Sequence, residues 1–434
     1  MFNQKYFDIL SFMFKIKTLS NGLTLITIPI PSLESVTTLF AVGAGSRYET
    51  RKINGISHFL EHMFFKGSKK YPTAEIISTM VDSIGAINNA ATSKEWTYYW
   101  IKSSAKHIEL STDIISSMLK ESLLQAEEVE REKGVIIEEL RMYRDNPTRY
   151  IWDLYENLQF GDQPLGWDIG GDEKTINSLK RDDFVKYVNS LYSVSNSVLV
   201  YAGKLPANIE ELAEKHFADL PERSEYKPHP FKKSEQKKPR AHVFFKATDQ
   251  ANLILGVEAF DRYDKRKYTA KVLSAILGEG MSSRLFMQVR ERRGLAYHVS
   301  SDSDSYIDTG MFVNYAGLKL EKVYEGLKVI IDELNKIASK KVSSDELKKA
   351  KEMLRGRLAL RSESTNFLAE HFGVQYILDK KLEKFEDFLK IIDSVTEEDI
   401  LNLAKYLFDK NRFNLQVIAP IKESTKFEKI LTTS

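Results

Sequence analysis

The sequence predicts an α+β protein of two duplicated domains, each an antiparallel-rich β-sheet with helices packed on one face, joined by an exposed linker. Three observations lead there. Apolar residues recur with a period of two in some segments, as in strands, and of 3.6 in others, as in helices. The order of these segments occurs twice along the chain. Between the two runs lies "ERSEYKPHPFKKSEQKKPR", which has three prolines and few apolar side chains, the composition of an exposed connector. The expected division is an N-terminal arm at 1–12, a first domain at 13–221, the linker at 222–240 and a second domain at 241–434.

The elements pair off in order. "LTLITIPI" alternates like a strand, and "VTTLFAVGAGSRYE" reads as a strand running into a loop. After the linker, "AHVFFKA" and "ANLILGVEAFDRYD" repeat that order. A helix comes next in each half: "GISHFLEHMFFKG", then "YTAKVLSAILGEG". Strands follow, "AINNAATSKEWTYYWIKSS" against "AYHVSSDSDSYIDTGMFVNYAG". Trp96, Tyr98 and Trp100 alternate there and are expected to face the core. Two amphipathic helices close each run. They are "HIELSTDIISSMLKESL" with "AEEVEREKGVIIEELRMY", and "LEKVYEGLKVIIDELNKIA" with "SSDELKKAKEMLRGRLAL".

Composition removes several function classes. The net charge of +2 over 434 residues gives no electrostatic case for nucleic acid or a membrane surface. There is no cysteine, so disulfides, thiolate metal sites and a cysteine nucleophile are excluded. No apolar run approaches the roughly 18 residues needed to cross a bilayer. The start, "MFNQKYFDILSFMFK", is broken by Asp8 and makes a poor signal peptide, so a cytoplasmic location is expected. Met13 is a second plausible start.

The chemistry concentrates in "HFLEHMFFKG". Residues four apart share a helix face, so His58 and His62 can turn two imidazoles to one ion. Glu61 lies at the margin of that face. This is the H-x-x-E-H spacing of inverted zinc sites; the plainer alternative is two surface histidines without a ligand. A catalytic zinc wants three protein ligands and an open position. "EREKGVIIEEL" offers Glu132 and Glu139, seven apart and on nearly one face, while Glu138 is turned about 100° away toward solvent. The apolar Val135, Ile136, Ile137 and Leu140 suggest that this helix is largely buried. A buried carboxylate there needs a cationic partner. The matching helices of the second half have no such His/Glu set. His107, His216, His229, His242, His298 and His371 lack ligand spacing, and His229, between two prolines, is expected to be exposed.

"HFLEHMFFKGSKKY", "GAINNAATSKEWTYY" and "EREKGVIIEELRMYRDNP" resemble the pitrilysin (insulinase-type) zinc metallopeptidases, best the processing-peptidase-like branch of two-domain subunits. The resemblance runs from about residue 14 to the end. It implies one Zn2+ per chain on His58, His62 and Glu139, with Glu61 as general base. Glu132 matches a second family glutamate that supports the site. "RERRGLAYHVSS" resembles the family's Arg…Tyr element, which puts Arg290 and Tyr297 on the substrate backbone and the developing oxyanion. Asn89, Ala90 and Ala91 are then the edge strand that binds substrate.

The resemblance further implies a closed chamber made by two subunits. This chain carries both the metal set and the Arg/Tyr element, so a homodimer is expected, with a heterodimer of related subunits as the alternative. The expected substrates are peptides and unfolded segments. Two other functions compete: a non-catalytic scaffold or regulatory subunit of the same fold, and a metal hydrolase acting on something other than peptides.

Overall fold

The computed structural model describes residues 14–222 and 227–433. The expected arm at 1–12 and linker residues 223–226 lie outside them. Among these residues the fold is α+β, with one six-stranded and one five-stranded sheet. The first sheet contains β1 (Lys15–Thr18), β2 (Thr24–Pro29), β3 (Ser35–Val42), β4 (Ile87–Thr92), β5 (Thr97–Ser104) and β6 (Ser197–Gly203). Its order is β1-β2-β6-β3-β5-β4, antiparallel except where β2 meets β6. The second contains β7 (Arg240–Phe245), β8 (Gln250–Glu258), β9 (Ala296–Ser305), β10 (Gly310–Lys319) and β11 (Asn414–Ala419). Its order is β7-β11-β8-β10-β9, antiparallel except where β7 meets β11. With β1 set aside, the two sheets have one topology, so the duplication extends to strand order.

The helices take up the periodic segments. Ile56–Phe64 and Arg266–Gly278 correspond, as do Ile108–Lys120 and Val323–Ser339, and Ala126–Asp145 and Ser344–Ser362. No helix among the described residues is long and apolar enough to cross a membrane.

The compact units do not follow chain order as a cut at 222–240 would. One unit holds the chain up to Leu140, Trp167–His229 and Ala359–Glu386; the other holds Arg141–Gly166, Pro230–Leu358 and the chain from Asp387. The reason is that each central strand is apolar on both faces. Seven of the eight residues of β3 are buried, a pattern that needs cover on two sides. In the first unit the second face is covered by Thr365–Asp379, drawn from beyond the linker. Thr37 donates to the Thr365 hydroxyl at 2.8 Å, and the Thr24 and Tyr376 hydroxyls meet at 2.9 Å. In the second unit the matching cover is Pro147–Phe160, drawn from before it. Ile151, Tyr155 and Phe160 form one cluster there with Ile254, Val313 and Ile418.

Two expectations are corrected. The core face of β5 belongs to Tyr99 and Ile101, not to Trp96, Tyr98 and Trp100, which are half-buried. Both sets alternate, so period alone could not choose between them. Tyr98 and Trp100 instead bond to Glu370 on the polar side of the borrowed helix. His229 is half-buried rather than exposed. Its N–H donates to the Arg47 carbonyl at 3.2 Å, and Arg47 Nε donates to its carbonyl at 3.0 Å.

Candidate metal centre

The histidine helix, Ile56–Phe64, is set by its burial pattern. Phe59, Leu60, Met63 and Phe64 are wholly buried, which leaves His58, Glu61 and His62 on the remaining face. Phe59 meets Phe184 edge-on at 4.8 Å, and Phe64 meets Tyr99 and Tyr192 at 5.3 Å each. Such contacts fix the rotation of the helix about its axis. Its start is fixed by Glu49, which is fully buried. That carboxylate accepts from Asn54 Nδ2 (2.9 Å), Gly55 N (2.7 Å), Ser57 N (2.9 Å) and Ser57 Oγ (2.6 Å). An acidic group there satisfies free N–H groups and complements the helix dipole. Gly55 itself turns at φ +96°, where a side chain would be strained.

The glutamate helix, Ala126–Asp145, buries Val129, Glu132, Lys133, Ile136 and Leu140. Those positions make one stripe, with Glu139 at its margin and Glu138 exposed. Val135 departs from the expected burial and is 51% exposed, since it lies about 100° from Ile136.

His58, His62 and Glu139 converge. Their donor atoms all lie within 4.8 Å of one another. Glu139 Oε2 is 3.7 Å from His58 Nε2 and 3.4 Å from His62 Nε2. Two donors each about 2.1 Å from a tetrahedral ion stand roughly 3.4 Å apart. Two imidazoles and a carboxylate at this spacing therefore fit zinc, with room for a fourth ligand. Among the described residues no other group of His, Asp and Glu does so.

Glu132 supports this set from behind. It is 3% exposed and accepts from His62 Nδ1 at 3.0 Å and Lys66 Nζ at 2.6 Å. A donor bond at Nδ1 leaves Nε2 as the ligating nitrogen. Burial alone would raise the Glu132 carboxyl; hydrogen bonds from His62 and Lys66 outweigh it and hold the carboxyl low. Burial alone would lower His62; Glu132 and Glu139 outweigh it and push the metal-free imidazole up to about 9. A cation at Nε2 must displace that proton.

Glu61 is half-buried, and its Oε2 accepts from the Thr92 hydroxyl at 2.5 Å. Burial pushes its carboxyl up, with the charge of Glu139 adding to the effect, while Thr92 and His62 oppose it. A cleft of ≈ 280 Å³ opens beside it, lined by Glu61, His62 and Glu132 together with Asn88, Asn89 and Ala90 of β4. β4 is the edge of its sheet. Ser93 N donates to Trp96 O at the hairpin turn. Alternate residues of an antiparallel pair bond inward, so Asn89 and Ala91 bond to β5, while Ala90 and Thr92 turn their main-chain groups to the open side. The Ala90 N–H donates to its neighbour's side chain, Asn89 Oδ1, at 2.9 Å. The three residues read as a substrate strand are thus on an edge, but only Ala90 among them has an outward backbone.

Arg290 lies in a π-helical turn, Phe286–Glu291, a feature common at functional sites. Its guanidinium lies 5.1 Å from the centre of the Tyr297 ring, on β9, and Tyr297 is 75% exposed. The structure brings these two together in the second unit. Sequence reasoning missed Glu49, Lys66 and Thr92. Lys66 had a signal, standing four residues after His62; Glu49 and Thr92 act across folds of the chain that no local period reports.

Comparisons with known proteins show the family of the chain. Residues 25–173 match the family model described as insulinase (peptidase family M16), and residues 178–354 match the peptidase M16 inactive domain. The chain is 34% identical over 412 residues to a protein of Streptomyces coelicolor named an uncharacterized zinc protease, covering 94% of this chain and 89% of that one. It is 34% identical over 412 residues to the uncharacterized zinc protease YmxG of Bacillus subtilis, covering 94% and 98%. The crystal structure of a protease from Helicobacter pylori superposes with a TM-score of 0.88 at 24% identity, covering 94% of this chain and 100% of that one, a likeness of fold. A donor triad on two helices, a topology held twice and relatives matched over nearly the full chain lead to one placement: this chain belongs to the insulinase family of peptidases, M16.

Proposed function

We propose that this chain is a zinc-dependent endopeptidase acting on peptides and unfolded segments, with Glu61 as its general base. The supporting observation is the meeting of His58, His62 and Glu139 beside Glu61 and an open strand edge. Zinc held by those three residues supplies Lewis acidity, which polarises a carbonyl and makes water acidic near neutral pH. Glu61 takes the proton of the attacking water and returns it to the leaving amine. The outward backbone at Ala90 adds the substrate as a further strand, which gives affinity with little regard for side chains. Arg290 and Tyr297 supply positive charge and a donor to the oxyanion.

The experiment is digestion of a mixed peptide library by the zinc-loaded protein, with and without chelator, read by mass spectrometry. Cleavage that chelator removes and zinc restores is expected. An intact library after incubation with fully loaded protein rules the peptidase out.

We also propose a homodimer in which Arg290 and Tyr297 serve the partner's zinc. Mixing Glu61→Gln with Tyr297→Phe then regenerates one working site per mixed dimer. Activity no higher than that of either parent rejects the arrangement.

A further inference from the structure

We propose that Thr92 is a positioning residue that holds the general base and ties it to substrate docking. This rests on the endopeptidase function and adds a residue to it. The Thr92 hydroxyl donates to Glu61 Oε2 at 2.5 Å. A hydroxyl carries one proton, so the bond engages one carboxylate oxygen and leaves the other for water. Thr92 is also the last residue of β4, and its main-chain groups turn to the open edge. One residue therefore ends the strand that a peptide extends and orients the group that must take a proton.

The position of Thr92 is held from the turn that follows it. Ser46 N donates to Ser93 O at 3.2 Å, and Arg47 N to Lys94 O at 2.8 Å. A Cβ on Gly45 would stand 2.4 Å from Ser93 O, so the loop can approach this closely only with glycine there. Lys94, 2% exposed, donates to Trp167 O, and Arg47 pairs with Glu95 with both side chains buried. Buried polar groups so fully engaged make a stiff turn. Stiffness at one end of an edge strand suits a residue whose task is alignment.

The test compares wild type, Thr92→Val and Thr92→Ser on a quenched fluorescent peptide built from a cleaved library sequence. Valine keeps the shape and removes the donor; serine keeps the donor. The expected result for valine is a kcat about tenfold lower at unchanged KM, less than the roughly 10²–10⁴-fold that a general base itself contributes, because Glu61 remains and only its alignment is lost. Serine should recover most of that loss. Zinc affinity, read by competition with a chromophoric chelator, should match wild type in both variants. A valine variant with wild-type kcat overturns the proposal, as does an equal loss in the serine variant or weakened zinc binding with valine. If wild type itself cleaves nothing, the endopeptidase function fails rather than the role of Thr92.

Discussion

Glu49, Glu61, Glu132 and Glu139 share one chemistry and differ only in what surrounds them. Glu132 has two donors and is held ionised; Glu61 has one and is pushed toward the neutral form. Glu139 faces the histidine nitrogens. Replacing Glu132 by Gln should weaken zinc binding by about 10–100-fold, the usual effect of losing the group that orients a ligating histidine. Chelator competition measures it, and an unchanged affinity would mean that Glu132 serves only Lys66. At this scale the meeting of His58, His62 and Glu139 was legible in part: helix spacing sets His58 beside His62 and Glu132 on the side of Glu139, while the choice of Glu139 over Glu132 came from the family resemblance. Thr92 was not readable: its bond to Glu61 spans 31 residues and depends on how a strand ends.

Elements are held by buried polar groups as much as by apolar stripes. Glu49→Gln places an amide against the N–H groups of Gly55 and Ser57, and such mismatched buried donors typically cost about 1–3 kcal/mol. Urea unfolding should show this loss. Zinc affinity should fall with it, since Ser57 adjoins His58. On the helix Ile209–Phe217, His216 is 8% exposed, its Nδ1 3.4 Å from Asp113 Oδ1. Burial lowers its pKa, and the charge of Asp113 only partly offsets this. The unfolded chain takes a proton at about 6.5 while the folded one resists it. Stability is therefore full above that pH and falls as pH drops through it toward the folded value. His216→Phe should flatten this limb, so that the urea midpoint falls less than in wild type between pH 7 and pH 5. The main periodic helices were legible from their stripes. β1 was not, since four exposed residues, "KIKT", carry no burial pattern.

At the level of the whole molecule, the duplicated sheets were legible and the exchange of helices was not. Thr37 bonds to Thr365 across 328 residues, and no local pattern announces such a pairing. A chain ending at residue 222 contains His58, His62 and Glu139 yet lacks Thr365–Asp379. The faces of β3 and β6 that this helix covers would then be bare. Bare apolar sheet of this kind promotes association, so this fragment should aggregate when expressed alone. Adding residues 359–386 as a peptide should raise its soluble fraction, measured by size-exclusion chromatography. A monodisperse fragment without the peptide would show that the borrowed helix is dispensable. The copy without ligands is therefore no idle remnant of a duplication. It roofs the sheet beneath the metal centre, as the first copy roofs the other sheet, and a lineage that discarded either half would forfeit the shelter of the one it kept.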